Sequence, residues 1–437
     1  MSSGLSGQVI DAVDRRFDQQ VAFLSELTSH PSTRGNEQSA QQCMADQLRE
    51  MGYETDRWAI DVKDIAHLPG FSPVIGDYEN AVNVVGIHRS KARSGRSLIL
   101  NGHIDVVPAG PPDAWNKPPF EPHVDGGWMY GRGAGDMKAG LAANLFALGA
   151  LRELGYQPAA DLFFQSVVEE ECTGNGALAC LQRGYRADAA LIPEPFDEQL
   201  ISAQVGVIWL QVHLLGKPVH VLEAGSGSNA IEAAIPLIMA LKALEKRWNG
   251  AENRHPQFRH LDHPLNLNIG RIQGGDWPSS VPAWCCFDVR MGIYPGQDID
   301  EARAEIESCL QDAADTDAFL RNNRPRIVYH GFLAEGYCLA EHDTPTARQA
   351  VASLEGAHRS VNGDALRHSV TTATTDARFF GLYADTPALV YGPTAEAIHG
   401  FNERVNLESV RRITQSIALF IADWCGVEPA AARSRQP

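Results

Sequence analysis

A histidine and an aspartate lie two residues apart at the end of an apolar run, in the segment LILNGHID at residues 98–105. Imidazole and carboxylate groups bind divalent cations such as zinc, and both can also accept a proton. Side chains at positions i and i+2 of a strand lie on the same face, so His103 and Asp105 should point the same way. Charged groups at the point where a buried strand ends indicate a binding or catalytic site.

Four other segments carry the same kinds of side chain at comparable places. These side chains are Glu169, Glu170 and Glu171 after LFFQSVV, Glu194 after DAALIP, His399 after TPALVYGP, and Asp136 in the glycine-rich loop GRGAGDMKAG. In open α/β sheets, binding sites form in the crevice at the carboxyl ends of the strands. Five segments that bring carboxylate or imidazole to one sheet edge predict a hydrolytic metal site there.

Each of these motifs has a simpler explanation when it is taken alone. His103 could be a hydrogen-bonded histidine at a strand end, and the three glutamates could form a solvated acidic turn. Asp136 could cap the helix that follows it. Glu194 could be an exposed loop carboxylate, and His399 could be an ordinary surface histidine. We favour the metal site because five unrelated explanations would not place these side chains after the same type of structural element in all five segments.

Strands and helices alternate through the first half of the chain, which predicts an α/β domain with a mostly parallel sheet flanked by helices. The predicted helices here are 8–29, 37–51, 137–154 and 175–184, and the predicted strands are 81–88, 97–107, 161–171 and 188–195. Near residue 206 the order changes to β-α-β-β-α-β, which is typical of a small α+β domain with an antiparallel sheet. We therefore predict an α/β domain over 1–206 and 332–437, interrupted by an inserted domain over 207–331.

The composition restricts the partners of the chain, which has 437 residues and a net charge of −17. Such an acidic chain should repel nucleic acid and anionic membranes, so we expect neither as a partner. The N-terminal segment has no basic start followed by an apolar run, and no apolar stretch is long enough to cross a bilayer. The eight cysteines form no C-x-x-C pair, which indicates reduced thiols and a cytoplasmic protein.

Several motifs together resemble those of the dinuclear zinc aminoacylase family, which includes acetylornithine deacetylase, succinyl-diaminopimelate desuccinylase, aminoacylase and glutamate carboxypeptidase. The motifs are GHIDVVPAG, DGGWMYGRGAGDMKAG, VVEEECTGNGA, EP at 194–195, and AIHGFNERV. In the inserted domain the resemblance is looser. The resemblance as a whole implies a zinc-exopeptidase-like fold in which the inserted domain serves as lid and dimerisation domain. It also implies two Zn²⁺ ions per subunit, with Co²⁺ or Mn²⁺ as alternatives.

The resemblance further implies a role for each candidate residue. The implied zinc ligands are His103 and Glu194 for one ion, Glu171 and His399 for the other, and Asp136 as the bridge between them. Glu170 would be the general base that activates the metal-bridging water. Asp105 would orient the imidazole of His103. In this family the peptide bond after the bridging aspartate is cis, which here is the bond between Asp136 and Met137.

Three more residues are implied on the substrate side. His220 in GKPVHV corresponds to a family histidine that reaches the active site of the partner subunit and supports the oxyanion. Arg290 in FDVR and Arg378 in TTDARFF correspond to family arginines that bind a substrate carboxylate, a task that suits a planar guanidinium. Without the resemblance, a strand-end histidine and two surface ion pairs would be the simpler explanations.

The chain departs from the family pattern on the substrate side. Ser280 stands where an asparagine is common, and VLEAGSGS follows His220 in place of the usual small residues. These departures leave the acyl group and the amine of the substrate open.

The resulting hypothesis is a cytoplasmic, zinc-dependent amidohydrolase that cleaves the amide bond of an N-acylated amino acid or a peptide-like acid. It would work as a homodimer through the inserted domain. A first alternative is hydrolysis of another C–N bond at the same site, in a carbamoyl group, an amidine or an aromatic amine. A second is an inactive relative that binds metal or peptide, against which the retained Glu170 argues. A third, a two-metal nucleic-acid hydrolase, conflicts with the net charge of −17.

Overall fold

The computed structural model describes residues 3–430. The helices are α1 Ser3–Ser29, α2 Gln38–Glu50, α3 Val62–Ile65, α4 Ala139–Glu153, α5 Asn175–Gln182, α6 Ala230–Trp248, α7 Ile299–Thr316, α8 Pro345–Asn362, α9 Ala377–Ala384 and α10 Leu407–Trp424. The strands are β1 Glu54–Ala59, β2 Val82–His88, β3 Leu98–His103, β4 His123–Asp125, β5 Trp128–Tyr130, β6 Tyr156–Pro158, β7 Leu162–Val167, β8 Ala189–Ile192, β9 Leu200–Gln204, β10 Gly206–Leu215, β11 Leu267–Gly274, β12 Trp284–Ile293, β13 Arg326–Ala334, β14 Tyr337–Cys338, β15 His368–Thr371, β16 Ala388–Val390, β17 Ala395–Glu396, β18 Arg404–Asn406 and β19 Val427–Pro429.

A nine-stranded sheet is the centre of the larger unit. Its strand order is β1-β2-β7-β3-β8-β16-β9-β14, with β15 beside β9. The central strands β7, β3, β8 and β16 run parallel, whereas antiparallel strands are added towards both edges. The predicted α/β class with a mostly parallel sheet flanked by helices is confirmed. The antiparallel edge strands were not predicted, because a short strand does not carry its direction in its sequence.

The helices around this sheet pack in two groups. Helices α1, α4 and α10 contact one another, α8 contacts α10, and α5 contacts α3 and α9. Every residue of α4 from Ala139 to Leu151 is buried, as expected for a helix that is apolar on all sides. A Cβ at Gly140 would lie 2.3 Å from the carbonyl oxygen of Pro193. Glycine therefore lets the start of α4 approach the loop that follows β8.

A second, antiparallel sheet of order β11-β12-β10-β13 forms a separate unit. Helices α6 and α7 share with it a hydrophobic core of its own, which includes Leu210, Leu237 and Phe287. The element order β10-α6-β11-β12-α7-β13 is the predicted β-α-β-β-α-β order. We call these elements the inserted unit. Its exact division from the rest of the chain at residues 207–331 stays a prediction.

Smaller elements that the sequence did not predict hold the loops near the sheet edge. Strands β17, β18, β5 and β4 form a third sheet, in which β18 pairs with β5. Some predicted elements are longer than the real ones, since β3 ends at His103, β7 ends at Val167 and α4 begins at Ala139. No helix within residues 3–430 is long and apolar enough to span a membrane.

Candidate metal centre

His103 is the last residue of the central strand β3, and its side chain is 1% exposed. Its Nδ1 lies 2.9 Å from the main-chain oxygen of Asp105, which directs Nε2 towards the carboxylates around it. Nε2 lies 3.1 Å from Asp136 Oδ1, 3.7 Å from Glu194 Oε1 and 3.8 Å from Glu170 Oε2. The end of β3 is therefore the centre of the cluster.

The carboxylate of Asp136 lies between two histidines. Its Oδ1 is 3.1 Å from His103 Nε2, and its Oδ2 is 3.3 Å from His399 Nε2. Burial opposes the ionisation of Asp136, but the hydrogen bonds from the two imidazoles hold its pKa far below the usual range. The peptide bond that follows is cis, as the family resemblance implied. A carboxylate with one oxygen towards each histidine has the arrangement of a bridging ligand.

The other side of the cluster is formed by His399 and Glu171. The Nε2 of His399 lies 3.0 Å from a Glu171 carboxylate oxygen. The Glu171 carboxylate raises the pKa of His399 to about 11. His399 has a φ of +60°, an uncommon conformation for a residue other than glycine, which turns its side chain towards the cluster. His399 is also half exposed, so this side of the cluster is the one that solvent reaches.

The donor atoms form two overlapping groups. His103, Asp136 and Glu171 form one, and His103, Glu170 and Glu194 form the other, with all donor atoms of a group within 4.8 Å of one another. Burial raises the pKa of both Glu170 and Glu194 well above the usual value. Crowded carboxylates of this kind require positive charge between them. The set of imidazole and carboxylate donors, without a thiolate, therefore fits divalent cations such as zinc.

Asp105 supports the cluster in a different way from the predicted one. Its carboxylate oxygen is 3.7 Å from His103 Nδ1, whereas its main-chain oxygen is at hydrogen-bond distance. The carboxylate instead accepts the main-chain N–H groups of Glu170 and Glu171, at 3.4 and 3.1 Å. The main chain of Asp105 thus orients the imidazole, and its side chain fixes the turn that carries two of the glutamates. We call residues 168–174 the glutamate turn.

The two arginines predicted to bind substrate differ in their surroundings. Arg290 donates to the main-chain oxygens of Asn266 and Thr372, both at 3.0 Å. Arg378 is 1% exposed, donates from Nη2 to the oxygen of Thr173, and has its guanidinium 3.9 Å from the centre of the Phe379 ring. Its Nε and Nη1 have no hydrogen-bond partner within the described part of the chain. Arg378 therefore has donors left for a ligand.

His220 is exposed on the inserted unit, where its Nδ1 accepts a hydrogen bond from the main chain of Leu222. It belongs to neither group of metal-binding atoms within residues 3–430. The single chain therefore does not bring His220 to the cluster, and its contribution to a partner subunit stays a prediction.

Sequence reasoning missed two residues of the site. Asp376 is 1% exposed, and burial raises its pKa to about 6; its charge acts on both Glu170 and Glu194. Glu403 accepts hydrogen bonds from the loop that carries Asp136. Asp376 lies in the motif TTDARFF and Glu403 in the motif AIHGFNERV. The signal that could have found them was an acidic residue inside a family motif.

Proteins of known structure share this architecture. A dipeptidase from Saccharomyces cerevisiae superposes with a TM-score of 0.77 at 16% identity, over 97% of this chain and 99% of the other. Human carnosine dipeptidase 1 gives 0.75 at 18% identity, over 96% and 99%. An M20 family metallo-carboxypeptidase from Sulfolobus solfataricus gives 0.70 at 16% identity, over 92% and 98%. At these identities the likeness establishes the fold alone.

Two relatives in sequence are N-formyl-4-amino-5-aminomethyl-2-methylpyrimidine deformylases. The protein from Halalkalibacterium halodurans is 30% identical over 441 residues, which cover 97% of this chain and 98% of the relative. The protein from Bacillus subtilis is 30% identical over 419 residues, which cover 92% and 93%.

The fold and the donor set define a metal-dependent hydrolase. The sequence pattern of peptidase family M20/M25/M40 matches residues 99–423, and the chain belongs to that family. It is accordingly an enzyme of the amidohydrolase type, which uses divalent metal to hydrolyse amide C–N bonds.

Proposed function

We propose that the protein is a two-metal amidohydrolase that removes a small acyl group from the nitrogen of a small molecule, with an N-formyl amide as the first candidate. The observation that carries this proposal is the Asp136 carboxylate, because each of its oxygens faces a different histidine, His103 or His399. We assign His103 and Glu194 to one cation, Glu171 and His399 to the other, and Asp136 to both. Zn²⁺ is the proposed metal, with Co²⁺ and Mn²⁺ as alternatives.

The two relatives support the choice of a formyl group. Both are named for removing a formyl group from an aminomethylpyrimidine, and both match this chain over nearly its whole length. A formyl group is the smallest acyl group, so it would fit a site in which buried side chains surround the reacting carbonyl. The amine that is released stays open, because 30% identity does not carry over the shape of the pocket that holds it.

Divalent cations at this centre would polarise the amide carbonyl and increase the acidity of a water molecule. Glu170 is the proposed general base, and its Oε2 lies 3.8 Å from His103 Nε2 at the edge of the donor cluster. It takes the proton from the attacking water and gives it to the amide nitrogen as the C–N bond breaks, so that formate and a free amine leave. The turn that holds Glu170 is fixed by the Asp105 carboxylate, which acts as a positioning group.

A second candidate is an N-acylated amino acid or a peptide-like acid. Arg378 favours it, because this buried guanidinium has two nitrogens without a partner in the described residues and its charge acts on Glu170. A substrate carboxylate near the scissile amide would satisfy those donors. Arg290 is the weaker candidate, since both of its terminal nitrogens already donate to main-chain oxygens.

We further propose a cytoplasmic homodimer that forms through the inserted unit. Ile231, Ile235 and Met239 follow one another at four-residue spacing along α6 and are 37%, 57% and 62% exposed. A row of apolar side chains on one face of a helix is typical of a protein interface. A partner bound there would cover this row and would allow His220 to act in the other subunit's site. All eight cysteines within residues 3–430 are free thiols, which suits a reducing compartment.

The test is a product-resolved activity screen of the metal-loaded enzyme. Matched amines carrying formyl, acetyl, succinyl or carbamoyl groups, each with and without a carboxylate, are assayed for free amine and for released acid. We expect the N-formyl compounds to react fastest. Glu170→Gln should lower kcat by about 10²–10⁴-fold with unchanged metal content, while the exposed control Glu50→Gln keeps full activity. No turnover of any amide, or full turnover by Glu170→Gln, would overturn the proposal.

A further inference from the structure

Helices α6 and α7 pack on one face of the sheet of the inserted unit. Leu210, Val212 and Leu214 of β10 are buried in the core shared with α6 and α7, whereas Gln211 and His213 alternate with them on the other side. The strands paired with β10 add polar groups to that side. We call this side the open face; its chemically active side chains are His213, Cys286, Asp288 and His330.

Two close pairs stand on the open face. His213 is directly opposite Cys286 in the β10–β12 register, and its Nε2 lies 3.9 Å from Cys286 Sγ. His330 Nε2 lies 4.0 Å from Asp288 Oδ1. Asp288 lies two residues from Cys286 on the same face of β12, so the two pairs are neighbours. One thiol, one carboxylate and two imidazoles therefore share one small area of sheet.

His330 is the unusual member of this group. Both of its ring nitrogens are buried and neither has a hydrogen-bond partner within the part of the chain that the structure describes. Buried polar atoms are nearly always paired, so such a ring calls for a ligand. Burial also lowers the pKa of His330 and of His213.

We propose that His213, Cys286, Asp288 and His330 form a further metal site for a thiophilic divalent cation such as Zn²⁺, separate from the amide-hydrolysing centre. The donor set of one sulfur, two nitrogens and one oxygen is that of a tetrahedral zinc site. Binding replaces the thiol proton of Cys286, which is released to solvent, and draws the Asp288 carboxylate from Arg271, now 3.7 Å away. Bond lengths of about 2.0–2.3 Å require the two pairs to close together by side-chain rotation.

The site would join three strands next to the glutamate turn. Its ligands lie on β10, β12 and β13. The residue after His330 is Gly331, where a Cβ would lie 3.1 Å from the main-chain oxygen of Cys172 in that turn. An ion bound here would therefore stiffen the wall of the inserted unit that meets the catalytic residues, without contacting the substrate.

Cobalt substitution tests this assignment, because a thiolate bound to Co²⁺ gives a near-ultraviolet charge-transfer band and the amide-hydrolysing centre has no cysteine among its donors. The full chain is stripped of metal and titrated with Co²⁺. We expect the band in the parent enzyme and in the control Cys309→Ser. In Cys286→Ser the band should be lost, and about one third of the bound cobalt should be lost with it, since this site would hold one of three ions. A parent enzyme without the band, or a band that persists in Cys286→Ser or disappears in Cys172→Ser, overturns the proposal.

A second measurement uses the enzyme as isolated, with its native metal. X-ray absorption at the zinc edge should reveal a sulfur neighbour at about 2.3 Å in the parent and in His342→Ala, but not in His213→Ala. Amide hydrolysis by Cys286→Ser should stay within twofold of the parent rate. A zinc-loaded enzyme without sulfur scattering would show that the open face is an ordinary solvated polar surface, whatever the activity screen finds.

Discussion

The carboxylate of Glu403 accepts the main-chain N–H of Asp136 at 3.1 Å, so the buried Glu403 positions the proposed bridging ligand. The same carboxylate accepts the N–H groups of Gly133 and Gly135 and lies 2.6 Å from the guanidinium of Arg132. Glu403 and Arg132 are 1% and 2% exposed. The loop that presents the proposed bridging ligand is thus held by a buried ion pair.

Removing the charge of Glu403 should therefore destabilise the protein and the metal centre together. We expect Glu403→Gln to lower the free energy of unfolding by about 3–5 kcal/mol, because the buried Arg132 loses its counter-ion. Urea unfolding and the metal content after dialysis are the measurements. Glu396→Gln removes an exposed partner of Arg404 and should cost about 1 kcal/mol or less. Equal losses in the two variants would contradict this role of Glu403.

Replacing His103 should remove metal without unfolding the sheet. We assign His103 to one of the two proposed cations, so His103→Ala should remove that cation and leave the one assigned to Glu171 and His399. The measurement is metal per chain by elemental analysis, with the exposed His368→Ala as control. Full metal occupancy in His103→Ala would refute the proposed ligand set.

Glu37 should make stability depend on pH. Burial raises its pKa to about 7 and its side chain is 2% exposed, so the folded chain keeps a proton that the unfolded chain releases near pH 4.5. The folded state binds more protons between these values, and the contribution of Glu37 is therefore lost as pH rises towards 7. The stabilising contribution of Glu37 is fully present below about pH 4.5 and is absent above the pKa of Glu37 in the folded chain.

The comparison of Glu37→Gln with the parent isolates this effect, because glutamine stays neutral. From pH 5 to pH 8 the free energy of unfolding of the parent should fall by up to about 3 kcal/mol relative to that of Glu37→Gln. Urea unfolding across this range is the measurement, and the exposed Glu26→Gln should follow the parent. A pH-independent difference between the parent and Glu37→Gln would contradict the prediction.

Substitution of Arg378 should separate the two substrate classes. A lysine keeps the charge but cannot donate from two nitrogens in one plane. Arg378→Lys should lower kcat/KM for a carboxylate-bearing amide by about 10- to 100-fold, as expected for charged hydrogen bonds of about 1.5–3 kcal/mol. The matched uncharged N-formyl amine serves as the control. An equal loss for both substrates would assign Arg378 a structural role.

Mixing two inactive variants tests the proposed dimer. In a mixed dimer of His220→Ala and Glu170→Ala, one site combines an intact Glu170 with an intact His220 from the other chain. Activity should therefore return on mixing, and Ile235→Asp in both chains should abolish the recovery by disrupting the α6 face. Sedimentation of Ile235→Asp should give a monomer. Mixed chains that stay inactive while sedimenting as dimers would rule out the exchange of His220.

Much of the fold followed from local patterns. The helices α2 and α5 and the strand β2 were predicted within a few residues, because apolar periodicity and glycine stop signals are local properties. The third sheet and the antiparallel edge strands were not predicted. They consist of short strands whose pairing depends on distant partners, as in the contact of β18 with β5.

The candidate ligands were identified from the sequence because each follows a recognisable element in a specific motif. Their roles were less accessible. The main-chain oxygen of Asp105, rather than its carboxylate, orients His103. That difference follows from the exact end of β3, which periodicity does not determine. Asp376 and Glu403 were passed over because an acidic residue in a motif has no distinctive spacing.

The sequence by itself determined which side chains could bind cations, since residue type and the position after a buried strand are both written in the chain. Only the tertiary structure decided that His103 and His399 face the two oxygens of one Asp136 carboxylate. The two histidines are almost three hundred residues apart in the chain. Convergence of this kind depends on strand order, loop closure and burial. These arise from the packing of the whole chain and are not properties of any single segment.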